Sequence, residues 1–231
     1  MDKKQRPLTV ALPKGRLLAP AAGLFRDLGW RCDLGNGSRQ LLVTEEAPAG
    51  ALRFLLVKPA DVPVYVEYGA ADLGIAGQDV VWESGRDVYE PLQLGFGRCR
   101  LVLAGLPAQR GRDFRLATGL RVATKYPRLA QSHFQAQGLP IEVIPLSGSI
   151  ELAPLVGLAD LLVDLVETGR TLRENGLVEL EEIEHFQTCV VVNRVSHRLR
   201  LDEVRRLLAG LRRADAVRFG PGNTETTGGG T

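Results

Sequence analysis

Short apolar runs rich in branched side chains alternate along this chain with longer stretches in which apolar residues recur at helical spacing. The runs predict strands at residues 8–12, 52–57, 72–75, 100–104, 121–125, 141–146, 158–166 and 185–192. The helical spacing predicts helices at residues 17–28, 61–68, 127–137, 150–156 and 201–211, and another near Asp79, with Asp61 and Asp79 as capping residues. This alternation is typical of an α/β protein, here with about nine strands in two small, mostly parallel sheets.

The composition removes several functional classes. A net charge of +2 is too mild to indicate nucleic-acid binding. Cys32, Cys99 and Cys189 have neither metal-ligand nor redox spacing, which favours reduced thiols in a cytoplasmic protein. Residues 1–7 are charged and lack the apolar core of a signal peptide, and no apolar stretch approaches the ~20 residues of a membrane span. We therefore expect a cytoplasmic protein that binds neither nucleic acid nor membranes.

One turn, from Asp164 to Thr171, carries the clearest chemical signal. It follows the buried run 158–166, and Thr171 is predicted to cap a helical turn that Gly176 ends. Backbone N–H groups, threonine hydroxyls and a helix N-terminus suit a phosphate. The carboxylates of Asp164 and Glu167 instead suit sugar hydroxyls or a magnesium ion. The turn therefore predicts a ligand that carries both ribose and phosphate.

Two cationic turns follow other predicted strands. Residues 13–16 follow the first strand and supply Lys14 and Arg16, and residues 58–61 follow the second and supply Lys58. Ligands of open α/β sheets bind off the carboxyl ends of strands, where these cations could neutralise phosphates. Ordinary solvated loops are the alternative for each turn taken singly.

Several familiar catalytic motifs are absent from the sequence. There is no P-loop, no dinucleotide fingerprint and no nucleophile motif, and no histidine has a partner at metal-ligand spacing. Residues 147–149 read Ser-Gly-Ser, which fits either a plain helix cap or a second loop of the site. The arginines between residues 198 and 213 fit either a solvated helix face or a partner surface.

An extended motif around the turn resembles the signature of the ATP phosphoribosyltransferases. It reads Glu151-x5-Gly157-x-Ala159-Asp160-x3-Asp164-x3-Thr168-Gly169-x-Thr171-Leu172. Further segments resemble that family's landmarks in its order, across residues 8–211. They are Leu12-Pro13-Lys14-Gly15-Arg16-Leu17, Asp61-Val62-Pro63, Tyr65-Val66-Glu67-Tyr68-Gly69, Ala71-Asp72-Leu73-Gly74-Ile75, Gly95-Phe96-Gly97-x-Cys99-Arg100-Leu101 and Ala123-Thr124-Lys125-Tyr126-Pro127.

The resemblance implies an α/β fold of two lobes with mixed, mostly parallel sheets, similar to periplasmic binding proteins, with the active site in the cleft between the lobes. Residues 1–94 and 184–213 would form a discontinuous first lobe, and residues 95–183 a second lobe that carries the turn. Residues 214–231 are expected to be a disordered tail, since their glycine-rich end has low complexity.

The resemblance also implies the reaction, in which ATP and 5-phosphoribosyl 1-diphosphate (PRPP) give phosphoribosyl-ATP and diphosphate with the help of Mg²⁺. By resemblance, PRPP is held by Asp164, Glu167, Thr168, Gly169, Arg170 and Thr171. Lys14, Arg16 and Lys58 are the expected contacts of the diphosphate or triphosphate, and Tyr126 and Ser149 are expected to line the cleft. No residue is assigned as an acid, a base or a nucleophile.

The C-terminal part of the sequence implies the short form of the family. Long members carry a regulatory domain after the last helix, whereas only about twenty residues follow Leu211 here, too few for a packed domain. Short forms work with a separate regulatory subunit that resembles histidyl-tRNA synthetase. We therefore expect a homodimer within a hetero-oligomer.

Three other functions compete with this interpretation. A non-enzymatic binding protein of the same fold is disfavoured because no signal peptide is recognised. Another phosphoribosyltransferase could use the same turn with a different base, although the landmarks along the chain count against it. A scaffolding protein that uses the basic C-terminal helix would leave the three polar turns without a purpose.

Overall fold

The fold comes from a computed structural model that describes residues 6–32, 34, 41–117 and 119–220, apart from the Leu116 side chain. Within these ranges, nine strands alternate with eight α-helices. The predictions for residues 1–5 and 221–231 lie outside the described residues.

The strands vary in length and in exposure to solvent. They are β1 (Leu8–Pro13), β2 (Leu42–Ala47), β3 (Gly50–Val57), β4 (Leu73–Gly77), β5 (Tyr89–Gly105), β6 (Leu120–Thr124), β7 (Ile141–Pro145), β8 (Leu161–Val166) and β9 (Val178–Val192). The helices are α1 (Leu18–Asp27), α2 (Val62–Glu67), α3 (Gln78–Ser84), α4 (Pro127–Ala136), α5 (Leu152–Leu155), α6 (Arg170–Glu174), α7 (Arg194–Leu199) and α8 (Leu201–Phe219). Single 3₁₀ turns lie at Pro59–Asp61, Pro107–Gln109 and Phe114–Leu116.

The first of two compact units comprises the chain up to Gly97 and from Gln187 onward. Its hydrogen-bonded strand order is β2-β3-β1-β4-β9, in which β1 pairs in parallel with β3 and β4. The pairs β2–β3 and β4–β9 are antiparallel. Val10 and Leu12 of β1 pack into a core with α1 and α8, whereas Ala11 packs into a core with α2 and α3. Because both faces of β1 are covered, all six of its residues are buried and, apart from Thr9, apolar, with no alternation along the strand.

The second unit comprises Arg98–Phe186, with the strand order β5-β8-β6-β7. β6 pairs in parallel with β7 and β8, whereas β5 pairs antiparallel with β8. Leu161 and Val163 of β8 pack into one core with α4, and Leu162 between them packs into another with α5. β8 is therefore buried on both faces over its first three residues, and the half-buried Asp164 follows them.

Two long strands continue from one unit into the other. β5 has 17 residues and crosses after Gly97, and β9 has 15 residues and crosses after Phe186. The sequence pattern predicts two separate small sheets. That prediction is wrong, because all nine strands described above follow one another in a single hydrogen-bonded order. The mixed α/β class itself is confirmed.

Several elements were absent from the predictions. β2 was missed because it is half-exposed and alternates with charged residues. The early part of β5 was missed because it contains Gly95 and Gly97, and glycine is depleted in strands. α7 is only six residues long, and the Asn193 side chain caps it by accepting from the N–H groups of Val195 (3.0 Å) and Ser196 (2.9 Å).

The predicted caps at Asp61 and Asp79 are wrong. Asp61 makes no side-chain capping bond, because the preceding 3₁₀ turn holds it in a helical conformation instead of the extended one that capping needs. Asp79 lies inside the first turn of α3, for which Gly77 is the N-cap.

The last helix is longer than predicted, so the expected disordered tail does not begin at residue 214. α8 continues to Phe219 because its buried apolar positions continue through Leu211 to Ala214. Beyond them, Asp215 Oδ1 accepts from the Gly95 N–H (2.8 Å), and the Phe219 ring packs against Phe96 with 4.9 Å between centroids. These contacts stabilise the residues that composition alone suggested were disordered.

Candidate functional site

The turn after β8 lines an open, polar pocket of about 340 Å³. Its lining consists of Glu151 and the continuous segment from Asp164 to Leu172. All six residues predicted to hold PRPP therefore lie around one pocket. Glu151 was absent from that predicted set, although it stands in the motif that the sequence displays.

Gly169 determines the shape of the turn. It is buried with φ 68° and ψ 11°, a left-handed conformation that is strained for residues with a side chain. A Cβ at this position would collide with Glu179 Oε1 and lie 3.1 Å from Arg173 Nη1. Glu179 is itself held by Arg100, whose Nη1 lies 3.1 Å from Glu179 Oε2. The site therefore fits glycine in both conformation and volume.

The helix after the turn begins at Arg170, one position before Thr171, so the predicted Thr171 cap is wrong. The reason is local, because Gly169 turns the chain and Thr168 Oγ1 accepts from the Arg170 N–H (3.4 Å). Thr171 thus stands in the first turn of α6, exposed beside the pocket. The first N–H groups of a helix have no partner within the helix, so the turn presents backbone donors as well as hydroxyls.

Asp164 is an acidic group of the pocket whose pKa is raised. Burial raises the pKa of its carboxyl and Glu151 raises it further, whereas a hydrogen bond from Leu165 and the charge of Lys125 lower it. The Leu165 N–H donates to Asp164 Oδ1 at 2.8 Å. A partly desolvated carboxylate of this kind is stabilised by any ligand that donates hydrogen bonds to it.

Apart from Asp164, the charged side chains of the turn are exposed to solvent, and Arg170 forms an ion pair. Arg170 Nε donates to Glu174 Oε1 at 2.7 Å, and both side chains are mostly exposed. Glu167 is exposed as well. An exposed ion pair of this kind is weak, so a phosphate could compete for the Arg170 guanidinium.

Two further predicted residues follow the neighbouring parallel strands of the same unit. Tyr126 lies two residues after the end of β6 and is half-buried, and its N–H donates to Thr124 Oγ1 (2.8 Å). Ser149 follows β7, is exposed and has a φ of 49°. Both lie beyond the carboxyl ends of β6 and β7, as the turn lies beyond β8, but neither lines the pocket.

The cationic residues of the first unit lie together at one edge of its sheet. β1 and β3 end in register at Pro13 and Val57, and the Lys14 N–H donates to Val57 O (2.8 Å). The turns that carry Lys14, Arg16 and Lys58 are therefore neighbours, and all three side chains are exposed. The arrangement gives this edge a local excess of positive charge.

Three further observations bear on the class of the protein. Cys32, Cys99 and Cys189 are free and buried. Among the described residues, no group of three or more His, Cys, Asp and Glu side chains could hold a metal ion by itself. Across the same residues, no helix combines the length and the apolar character that crossing a membrane requires.

The fold and the turn define a class, that of α/β proteins of two compact units with a polar pocket beyond the carboxyl end of a strand. The periplasmic aliphatic sulphonate-binding protein SsuA from Escherichia coli has the same fold, with a TM-score of 0.60 and 15% identity over 93% of this chain and 74% of that protein.

Sequence comparisons give the family. The model of the HisG family, ATP phosphoribosyltransferase, matches residues 58–213. The ATP phosphoribosyltransferase of Sorangium cellulosum is 49% identical over 91% of this chain and 97% of its own length. That of Bacillus subtilis is 50% identical over 85% and 90%, respectively. The solved ATP phosphoribosyl transferase (HisG:HisZ) complex from Thermotoga maritima matches with a TM-score of 0.76 and 37% identity, over 91% of this chain and 99% of that one.

The chain belongs to the ATP phosphoribosyltransferase family. It is a pentosyltransferase that joins ATP to PRPP, giving phosphoribosyl-ATP and diphosphate in the first step of histidine biosynthesis. The functional prediction from the sequence is thereby confirmed.

Proposed function

We propose that the turn from Asp164 to Thr171 binds the ribose 5-phosphate part of PRPP. The pocket of about 340 Å³, lined by this turn and Glu151, is the observation that carries the proposal. The hydroxyls of Thr168 and Thr171, the N–H groups of the first turn of α6 and the Arg170 guanidinium supply the donors for the phosphate. Gly169 is proposed to let the backbone approach the ligand closely.

Asp164 is proposed to accept hydrogen bonds from the ribose hydroxyls. Its raised pKa supports this role, because a buried carboxylate without enough donors is stabilised when hydroxyls bind. Glu167 also lines the pocket and could contact ribose, bind magnesium or face solvent.

Mg²⁺ is proposed as the cofactor. The residues present suit it, since Asp164 and Glu167 both line the pocket and Mg²⁺ typically binds one or two carboxylates together with substrate phosphates. When bound, the ion would neutralise the charge that develops on the departing diphosphate.

Lys14, Arg16 and Lys58 are proposed to bind the diphosphate of PRPP or the triphosphate of ATP. Their position on two adjacent turns supports this, because phosphate oxygens then meet several cations at once. Tyr126 and Ser149 are proposed as further contacts of the substrates, from their places beyond the carboxyl ends of β6 and β7.

The proposed transfer requires positioning and charge rather than acid–base catalysis. Adenine N1 carries a lone pair and no proton, and that lone pair forms the new bond to the anomeric carbon of ribose. The bond between that carbon and the diphosphate oxygen breaks, and diphosphate leaves with the electron pair. Cations and correctly placed hydrogen-bond donors suffice for such a step.

A second subunit is proposed as the regulatory partner. The Thermotoga maritima relative was solved as a HisG:HisZ complex, which supports such an assembly for this chain. We infer a homodimer within a hetero-oligomer in the cytoplasm, with a regulatory subunit resembling histidyl-tRNA synthetase through which histidine would act.

The phosphate-binding role is tested with Thr168→Val and Thr171→Val, which keep the shape of the side chain and remove the hydroxyl. We expect each variant to weaken PRPP binding about tenfold in calorimetry with little change in Tm, because both hydroxyls are exposed in the free protein. Thr44→Val on the exposed face of β2 is the matched control and should leave PRPP binding unchanged. Unaltered PRPP affinity in both pocket variants would refute the assignment.

A further inference from the structure

A second and larger cavity, of about 610 Å³, lies in the first unit. Its lining comes from the residues just before and at the start of β1, the end of α1, the start of β3 and one face of α8. The residues are Arg6, Pro7, Leu8, Leu28, Trp30, Ala49, Gly50, Ala51, Leu52, Glu203, Arg206, Leu207, Ala209, Gly210 and Arg213. A cavity of this volume is within the range of pockets that bind small molecules.

The cavity lies at the opposite end of the strands from the cationic turns. Leu8 and Leu52 are register partners near the starts of β1 and β3, whereas Lys14 and Lys58 directly follow the ends of these strands. Six residues of strand separate the two ends, roughly 20 Å of extended chain. The cavity is therefore separate from the edge proposed to bind the phosphates of the substrates.

The inner wall of the cavity is apolar. Leu8, Leu52 and Leu207 line it and are themselves at most 7% exposed. Trp30 is held in place because its indole Nε1 donates to Gly50 O at 3.0 Å. Gly210 allows α8 to approach closely, since a Cβ there would lie 3.2 Å from Leu28. This wall is fixed by the packing of the core and suits a rigid apolar body.

The rim of the cavity carries a positive charge that the rest of the described chain leaves uncompensated. Arg206 and Arg213 are exposed, and within the described ranges neither makes an ion pair or a hydrogen bond. They lie seven residues apart on α8, about 10 Å along its axis, and point to the same face. Arg6 contributes a third guanidinium, whose Nη2 lies 3.0 Å from Asp72 Oδ1.

The one carboxylate in the lining does not cancel this charge. Glu203 Oε2 lies 2.6 Å from Arg200 Nη2, and Glu203 Oε1 accepts from Arg200 Nε at 3.0 Å. Glu203 therefore already neutralises a cation that lies outside the cavity. The guanidinium groups of Arg206 and Arg213 are therefore available, and each can donate two parallel hydrogen bonds to a carboxylate or a phosphate.

We propose that this cavity is a binding site for a small organic anion, with the apolar body of the ligand against Trp30 and Leu207 and its carboxylate or phosphate between Arg206 and Arg213. Such a site is independent of the transferase reaction. It gives the transferase a second ligand class, one that carries an apolar ring system and a negative charge at one end.

The test uses 8-anilinonaphthalene-1-sulfonate, an aromatic anion, on the full chain carrying Trp82→Phe, which leaves Trp30 as the sole tryptophan. Energy transfer from Trp30 to the bound probe reports binding, and the paired substitutions that follow locate it at this cavity. Arg206→Ala/Arg213→Ala is compared with Arg205→Ala/Arg212→Ala, which removes the same charge from exposed positions of the same helix that do not line the cavity. N-phenyl-1-naphthylamine, which has a similar ring system without the sulfonate, reports the contribution of charge.

The proposal expects the first pair of substitutions to lower probe affinity about tenfold, while the second pair changes it less than about twofold. The neutral probe should bind more weakly than the anion, and saturating ATP or PRPP should displace neither. Displacement by a substrate, equal losses in both pairs or no binding would each overturn the proposal. Transferase activity measured in the same variants is expected to persist, so failure of this site and failure of the PRPP assignment are distinguished. Competition by 1-naphthoate and 1-naphthyl phosphate then separates carboxylate from phosphate ligands.

Discussion

The turn after β8 and the cationic edge of the first unit are both proposed to hold phosphates, but their structures differ. The turn offers hydroxyls, backbone donors and a partly buried carboxylate around one pocket. The edge offers Lys14, Arg16 and Lys58, which are exposed side chains on two adjacent turns. The first would therefore recognise the shape of a ligand through its backbone, and the second would recognise its charge through exposed side chains.

The difference determines which changes each region tolerates. A region that depends on backbone geometry is sensitive to a single added methyl group. A region that depends on charge is sensitive to ionic strength and to neutralisation of its cations, because exposed charges are screened by salt. Four substitutions test this contrast.

The largest effect is expected for Asp164→Asn. The amide keeps the shape and can still accept from the Leu165 N–H, but it loses the charge-assisted bonds to the ribose hydroxyls. We expect kcat/KM for PRPP to fall about 100-fold, since a hydrogen bond to a charged group contributes about 1.5–3 kcal/mol.

The same substitution should raise stability at neutral pH. The pKa of Asp164 is raised in the folded protein, so the folded state binds its proton more tightly than the unfolded state does. Stability therefore falls as pH rises above the ordinary value of 3.8, and Asn removes that loss. We expect the variant to have a higher Tm than wild type at pH 7. The two Tm values should agree at a pH low enough that Asp164 is protonated in both the folded and the unfolded state.

Asp215→Asn is the matched control, because burial also raises the pKa of Asp215, which accepts from the Gly95 N–H and does not line the pocket. It should raise Tm at pH 7 without a change in activity. Equal activity losses in the two variants would show that the effect at Asp164 is structural.

Lys58→Met should have the next largest effect. It removes the cation and keeps most of the apolar stem, so KM for ATP or PRPP is expected to rise about 10- to 30-fold. Arg198→Met removes an exposed cation from α7 of the same unit and should change neither KM by more than about twofold. The KM of wild type should also rise with salt, and this dependence should be weaker in the Lys58 variant. A variant with wild-type kinetics at all salt concentrations would exclude Lys58 from phosphate binding.

Gly169→Ala is expected to weaken PRPP binding about tenfold. Alanine in a left-handed conformation costs about 1–2 kcal/mol, and its Cβ would displace Glu179 from Arg100. Gly176→Ala has the same backbone strain, since its φ is 70°, but has no atom within 4 Å of the added Cβ. Both variants should lose stability, and only the first should lose PRPP affinity in calorimetry. Similar PRPP affinities in the two variants would show that PRPP binding does not depend on the close fit at Gly169.

The smallest effect is expected for Glu151→Gln. Glu151 raises the pKa of Asp164, so its neutralisation should lower that pKa. If PRPP binding requires ionised Asp164, it is lost as pH falls through the pKa of that carboxyl. In Glu151→Gln, the loss of PRPP binding at acid pH should therefore occur at a lower pH than in wild type. The affinity at pH 7 should change less than about threefold. An unmoved limb in the pH profile of PRPP binding would show that a different group controls it.

The sequence predicted the turn better than it predicted its surroundings. The turn lies within one continuous segment, so its donors and carboxylates are visible in order along the chain. Glu151 and Lys125 reach Asp164 from other elements, and only the packing of the second unit brings their charges near it. The motif that included Glu151 was the available signal for the first of them.

The missed elements follow a similar logic. β2 is an edge strand with one side toward solvent, so its apolar pattern is weak, and its assignment depends on pairing with β3. The last turns of α8 are held by Gly95, Phe96 and Asp27, whose contacts are remote in sequence. Asn193 is the exception, because a capping residue before a short polar segment is a local signal that could have identified α7.

The late position of β9 in the sequence affects folding during synthesis on the ribosome. β4 pairs with β9 through Leu73 and Val192, so the sheet of the first unit stays open until nearly the entire chain has been synthesised. A nascent chain that has emerged only as far as Gly97 exposes one edge of β4, and unpaired edges invite association with other chains. Slow translation between these two strands would prolong that exposure.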